Sequence, residues 1–220
     1  MDIKRLLLFY TLIFLANRVW AEAKAPWVGT SLLGTPCIGG GQGYGPFDYT
    51  KKKSYTPENL ILVESAHFTP EVENLIKGNR GYLDSDIDYT LRAWPNHHRA
   101  LLSITRYQLK IDNKLSNARL KTPVECYFQR ALHFSPKDAI SLSLYGYFLR
   151  KTGHLKAAVS AYEQALTLAP DTSKMEYAYS LLLIDLKQYD NALVYAKKAY
   201  QHGMPPQGLK NKLIKLGAWK

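Results

Sequence analysis

Cysteine is nearly absent, with two residues in a chain of 220, so a small fold held together by a disulfide framework is excluded. No C-x-x-C, H-E-x-x-H or G-x-S-x-G occurs, which removes the familiar spacings of thiol redox centres, zinc hydrolases and serine hydrolases. Acidic residues are scarce, 18 against 29 basic ones, and the net charge of +11 favours an anionic or acidic partner. No apolar stretch reaches the roughly 20 residues that a spanning helix needs. What is present, 46% hydrophobic and 21% charged residues, is the composition of a globular chain with a substantial core.

The N-terminus reads as an export signal. Lys4 and Arg5 precede an uncharged, largely apolar run from Leu6 to Ala16, and Ala21-Glu22-Ala23 offers the small-x-small pattern of a signal peptidase site. Residues 1–21 are therefore expected to be a cleaved signal peptide, and the exported chain to be periplasmic, with no transmembrane span left after cleavage. Removing them deletes Lys4, Arg5, Arg18 and Asp2 and leaves a charge of +9, so the basic bias belongs to the folded part. Export makes nucleic acid an improbable partner and leaves proteins or anionic polymers. Cys37 and Cys126 are either a disulfide of an oxidising compartment or two separate thiols.

Internal repetition organises the second half. Val124, Ala158 and Ala192 stand 34 residues apart, as do Ala131, Ala165 and Ala199, and Phe128, Tyr162 and Ala196. Pro136 and Pro170 share that spacing. The clearest unit runs from Ala139 to Pro170, with Leu142, Tyr145-Gly146 and Leu149 followed by Ala158, Tyr162, Ala165 and Pro170. Small residues at Gly146 and Ala158 let two helices cross closely, larger ones fill between units, and Pro170 stops the second helix. These residues resemble the tetratricopeptide repeat. A second unit from about Thr172 to His202 has Ser180 in place of the glycine. An irregular one precedes them, because Pro95 and Pro136 lie 41 residues apart, a seven-residue insertion placed around Ile111 to Thr122.

The resemblance implies an all-α fold: a short helical solenoid of about three helix-turn-helix units over 96–204, with a capping helix over 205–220 that presents Leu209, Leu213 and Leu216. A helical half-repeat is expected over 69–95, since Asp88 to Pro95 echoes Glu163 to Pro170. Residues 22–68 read as an irregular Gly- and aromatic-rich segment without a helix up to Ser54, with Leu60 to Val63 extended. The segment is expected to fill the groove or to provide a second contact. Thr69-Pro70 opens a helix that should run over 70–77 and stop at Gly78.

Little in the chain carries chemistry. The glycines from Gly39 to Gly45 lack the helix that a phosphate-binding loop opens, and Asp84, Asp86 and Asp88 lack the glycine and the distal glutamate of a calcium loop. His67, His97 and His98, with Cys37, are the residues from which a metal or enzymatic site would be built. Adjacent histidines on a helix point about 100° apart, so the reading is no metal and no cofactor, with Asn96 as the helix cap. The resemblance implies a binding groove lined by the first helices of each unit: His98, Leu101 and Thr105, then Ile140, Ser143, Tyr147 and Arg150, then Lys174, Tyr177, Leu181 and Ile184. Leu101 and Thr105 occupy the places of the carboxylate clamp some members carry. The function this implies is a non-catalytic scaffold or adaptor for a protein partner in the cell envelope. The alternatives are a Cys/His metal or enzyme site, and a binder of anionic polysaccharide or lipid.

Overall fold

A computed structural model describes residues 25–113, 120–204 and 207–219. The expected signal peptide, most of the insertion loop and Pro205-Pro206 lie outside the described residues. The described chain is helical: a 3₁₀ turn at Tyr49–Ser54, then α1 (Pro57–His67), α2 (Pro70–Glu73), α3 (Leu83–Ala93), α4 (His98–Asn113), α5 (Val124–Phe134), α6 (Ala139–Lys151), α7 (Leu155–Leu168), α8 (Ser173–Asp185), α9 (Tyr189–Gln201) and α10 (Gly208–Lys215). Among the described residues the sole β pairing is one bridge, Thr30 to Pro36.

The 34-residue register appears as packed helix pairs, α6 with α7 and α8 with α9. At their crossings the first helix carries a small residue. A Cβ on Gly146 would come within 2.9 Å of the Tyr162 ring, and Ser180 Oγ donates to Ala192 O at 2.7 Å. Buried Ala158 and Ala192 answer from the second helices. Turns repeat as well: Gly153, at φ +84°, and Lys187, one period later, at φ +59°, take the same left-handed conformation between the two helices. α10 closes the stack with Leu209 and Leu213 fully buried, whereas Leu216 remains 40% exposed. No described helix is long and apolar enough to cross a membrane.

The first third departs from its sequence reading. Leu60 to Val63 is helical, inside α1, and only Val63 among the residues of that helix is buried. With Ile61 and Leu62 facing outward there is no apolar stripe to reveal a helix. The helix opened by Pro70 ends at Glu73, because Leu75 turns to φ +59° and the chain bends into a loop around Asp86. Asp86 Oδ2 accepts from the backbone N–H groups of Asn79, Arg80 and Gly81, and Oδ1 from His67 Nδ1 at 2.8 Å. α3 packs against α1, so the expected half-repeat belongs to a complete helix pair that begins at Pro57.

Residues 25–55 form a strap that lies along the second helices, α3 and α5, and ends against α1 and the start of α4. Cys37 and Cys126 are joined as a disulfide. Gln129 exchanges hydrogen bonds with the Thr30 backbone, and Glu125 accepts from Leu32 N at 2.7 Å. Arg130, 2% exposed, donates to Ala25 O, Leu91 O, Arg92 O and Gln42 Oε1, and its guanidinium lies 4.9 Å from the Trp27 ring centre. Gly45, at φ +88°, lets the strap approach α3, since a Cβ there would lie 2.3 Å from Ala93 O. Phe47 N then donates to that same oxygen.

Two substitutions test this packing. Gly146→Ala pushes a methyl against the Tyr162 ring and should lower the unfolding free energy by about 1–3 kcal/mol in urea titration. Cys37→Ser with Cys126→Ser opens a loop with a sequence separation of 89 and should cost up to roughly 4–5 kcal/mol. Limited proteolysis of that variant should cut within 25–48 before it reaches α6 to α9.

Candidate functional site

The first helices of the pairs, α1, α4, α6 and α8, present the candidate binding face. Position along each is set by its start. α4, α6 and α8 begin at His98, Ala139 and Ser173, and the third, fourth and eighth residues of each are buried: Ala100, Leu101 and Thr105; Ser141, Leu142 and Gly146; Met175, Glu176 and Ser180. Leu101 and Thr105 are therefore core residues with no exposure, a correction to the expected groove. The expected register is one residue out because Asn96 is not the cap. His97 precedes α4, and its Nδ1 accepts from Ala100 N at 3.1 Å, the N-cap geometry. The positions homologous to Ile140 and Tyr147 on α4 are Arg99 and Arg106, which sequence reasoning missed and which the helix start would have given.

Ile184 is also buried, at 6% exposure. Ile140, 46% exposed, and Lys174 are open to solvent, while Ser143, Tyr147, Arg150, Tyr177 and Leu181 are half-buried. Two cations of this face already have partners. Arg99 binds Glu73 and Glu64 and stacks over Phe68, and Arg150 Nε donates to Asp185 Oδ2 at 2.6 Å, with Lys212 3.8 Å from Asp185 Oδ1.

The histidines do not form one centre. His67 is bonded to Asp86, His97 Nε2 donates to Glu64 at 2.9 Å, and His98 Nε2 donates to Asp138 at 2.8 Å, each to its own carboxylate. Tyr49 packs against the rings of both His97 and His98. Cys37, bonded to Cys126, has no thiolate to offer. The one three-residue His and carboxylate cluster with ligand atoms within 4.8 Å of one another among the described residues is Asp171, Glu176 and His202. There His202 Nδ1 is already hydrogen-bonded to Glu176 at 2.7 Å.

A buried polar network ties the strap to the repeats. The Asn96 amide donates to Asp48 Oδ1 at 2.8 Å and to Asp138 Oδ2 at 3.0 Å, and its oxygen accepts from Tyr49 N at 2.8 Å. Asp138 caps α6 by accepting from Ile140 N and Ser141 N, and takes Ser141 Oγ as well. Asp48 accepts from Thr50 and from Ser135 Oγ. Burial alone would raise both carboxyls. At Asp138 the His98 and Ser141 bonds outweigh it, and at Asp48 the bonds from Thr50, Asn96 and Ser135 do, so both lie below the ordinary carboxylate value. Asp86 is lowered in the same way, burial being outweighed by His67 and three backbone N–H groups. His97 is lowered because burial disfavours its cation more than Glu64 favours it.

Over this network opens a hollow of about 560 Å³, between the 3₁₀ turn, the end of α7 and the starts of α4, α6 and α8. Ile140, Leu168, Ala169 and Met175 form its apolar wall, and Lys52 and Lys137 its rim. Nothing in the sequence pattern pointed to it, because the strap supplies one side.

Paired helices stacked in a 34-residue register with a closing helix define a helical-repeat solenoid, a protein class built to bind other proteins. The chain belongs to the tetratricopeptide repeat family: that family's model matches residues 59–207, more than half of the chain. Its first matched residue falls inside α1, in agreement with a repeat array that starts before Thr69. No curated protein matches the chain.

Acid should weaken the fold in two stages. His97 has a native pKa below its ordinary 6.5, so the unfolded chain binds a proton the native chain refuses, and stability declines as pH falls below about 6.5. Asp48, Asp86 and Asp138 have native values below the ordinary 3.8; their contribution is complete above about pH 3.8 and is lost as pH falls through the native values. His97→Asn keeps a capping side chain and should flatten the upper stage, and reduce the lower one only by the share that Glu64 owes to its bond with His97, in melting curves recorded from about pH 7.5 to 2.5.

Proposed function

We propose that this protein is an exported, non-catalytic scaffold that holds a protein or peptide partner of the cell envelope against the first helices of its repeats. The observation that carries this reading is the division of faces. The strap places its disulfide and most of its hydrogen bonds on α3 and α5, reaches the first helices only at Asn59 and at the start of α4, and leaves Ile140, Tyr147, Lys174, Tyr177 and Leu181 of α6 and α8 accessible. Half-buried tyrosines beside an exposed isoleucine are the kind of anchor that protein interfaces favour. Export, to the periplasm on this reading, is supported by the Lys4-to-Ala23 pattern and by the Cys37–Cys126 disulfide, a bond that persists in oxidising compartments.

The test is capture of partners from an envelope extract by full-length protein and by Tyr147→Ala with Tyr177→Ala. The double variant should retain its melting temperature within a few degrees and lose the captured protein, and undiminished capture would remove the groove from the reading. N-terminal sequencing of the protein recovered from cells should begin at Glu22 or Lys24; an intact Met1 would remove cleavage.

A further inference from the structure

We propose that the hollow beneath the 3₁₀ turn docks an acidic, extended segment of the partner protein, seating one bulky apolar side chain against Ile140 and Leu168 and its carboxylates on Lys52 and Lys137. The inference rests on the scaffold reading and assigns the chemistry of its ligand.

The apolar half follows from exposure. Ile140 is 46% exposed and Leu168 42%, side by side on a concave wall backed by Ala169 and Met175, where burial by a partner removes apolar surface from water. The acidic half follows from which charges are spent. The two carboxylates near the hollow, Asp48 and Asp138, are at most 7% exposed and saturated by donors, so neither projects into it. Lys137 has no partner among the described residues, and Lys52 lies over the Tyr49 ring, 4.2 Å from its Nζ, with Glu64 the carboxylate whose charge it feels. Along the rest of the face Arg99 and Arg150 are neutralised by Glu64, Glu73 and Asp185. Uncompensated positive charge thus meets apolar surface at this hollow, complementary to acidic residues flanking an apolar one. The walls are also fixed in advance, because Asn96 locks the strap to the start of α6, so little ordering cost opposes docking.

The probe is a fluorescein-labelled octapeptide of two leucines flanked by glutamates, titrated with the full chain and followed by anisotropy. Counterparts have the leucines replaced by serine or the glutamates by lysine. The leucine–glutamate peptide should bind with a Kd below about 1 mM, and each counterpart at least about tenfold more weakly. Lys137→Glu and Ile140→Asp, both at exposed positions, should each weaken binding about tenfold with unchanged melting temperature, while Tyr147→Ala should not. Failure of the leucine–glutamate peptide to bind, insensitivity to either variant, or equal binding of the serine–glutamate peptide would overturn the proposal, the last result pointing to an anionic polymer. Capture of the envelope partner separates the two readings: loss with Tyr147→Ala and Tyr177→Ala but not with Lys137→Glu leaves the groove and removes this site.

Discussion

Two carboxylates, Asp48 and Asp138, share the side-chain amide of Asn96 in a region with almost no access to water. Buried like charges are tolerable only when donors surround them, and here the donors come from four parts of the chain: the strap, the starts of α4 and α6, and the end of α5. That requirement fixes where these four elements meet. Remove one donor and a buried carboxylate is left facing its twin, so the meeting point is held in one arrangement rather than several. The candidate docking hollow is the outer surface of this junction, and its shape is a by-product of satisfying charge inside.

The junction also explains why the protein divides into two mechanical halves. From α6 to α9 the helices meet by complementary packing, small residues at Gly146 and Ser180 meeting Tyr162 and the Ala192 carbonyl, with the Arg150–Asp185 and Tyr179–Glu163 bonds between units. The units built from α1, α3, α4 and α5 are irregular in spacing, and their contacts are supplemented by the strap. Arg130 is the clearest supplement: one guanidinium binds the carbonyls that end α3 and the carbonyl of Ala25. Burial lowers its pKa to about 10, still well above neutrality, so it stays charged and holds its four hydrogen bonds.

The repeats were legible because close helix crossings demand small residues at a fixed interval, and Val124, Ala158 and Ala192 keep that interval. The closing helix was legible through Leu209 and Leu213. The register of α4 was not, since a histidine rather than the neighbouring asparagine caps it. α1 was illegible for a different reason: Ile61 and Leu62 point outward, so its apolar residues follow no helical stripe. Of the eleven expected groove residues, Leu101, Thr105 and Ile184 are core, and the hollow involving Ile140 and His98 could not be foreseen because Tyr49 and Lys52 reach it from far away in sequence.

The strap's bonds have a temporal consequence. Arg130 lies 105 residues after Ala25, and Gln129 lies 99 after Thr30. Residues 25–48 are therefore made well before α5, and their bonds to that helix can close only after it has been made. These long-range contacts are the slow kind to form, so the brace closes only after the helix it braces exists. An early stretch of the chain is thus completed by a late one.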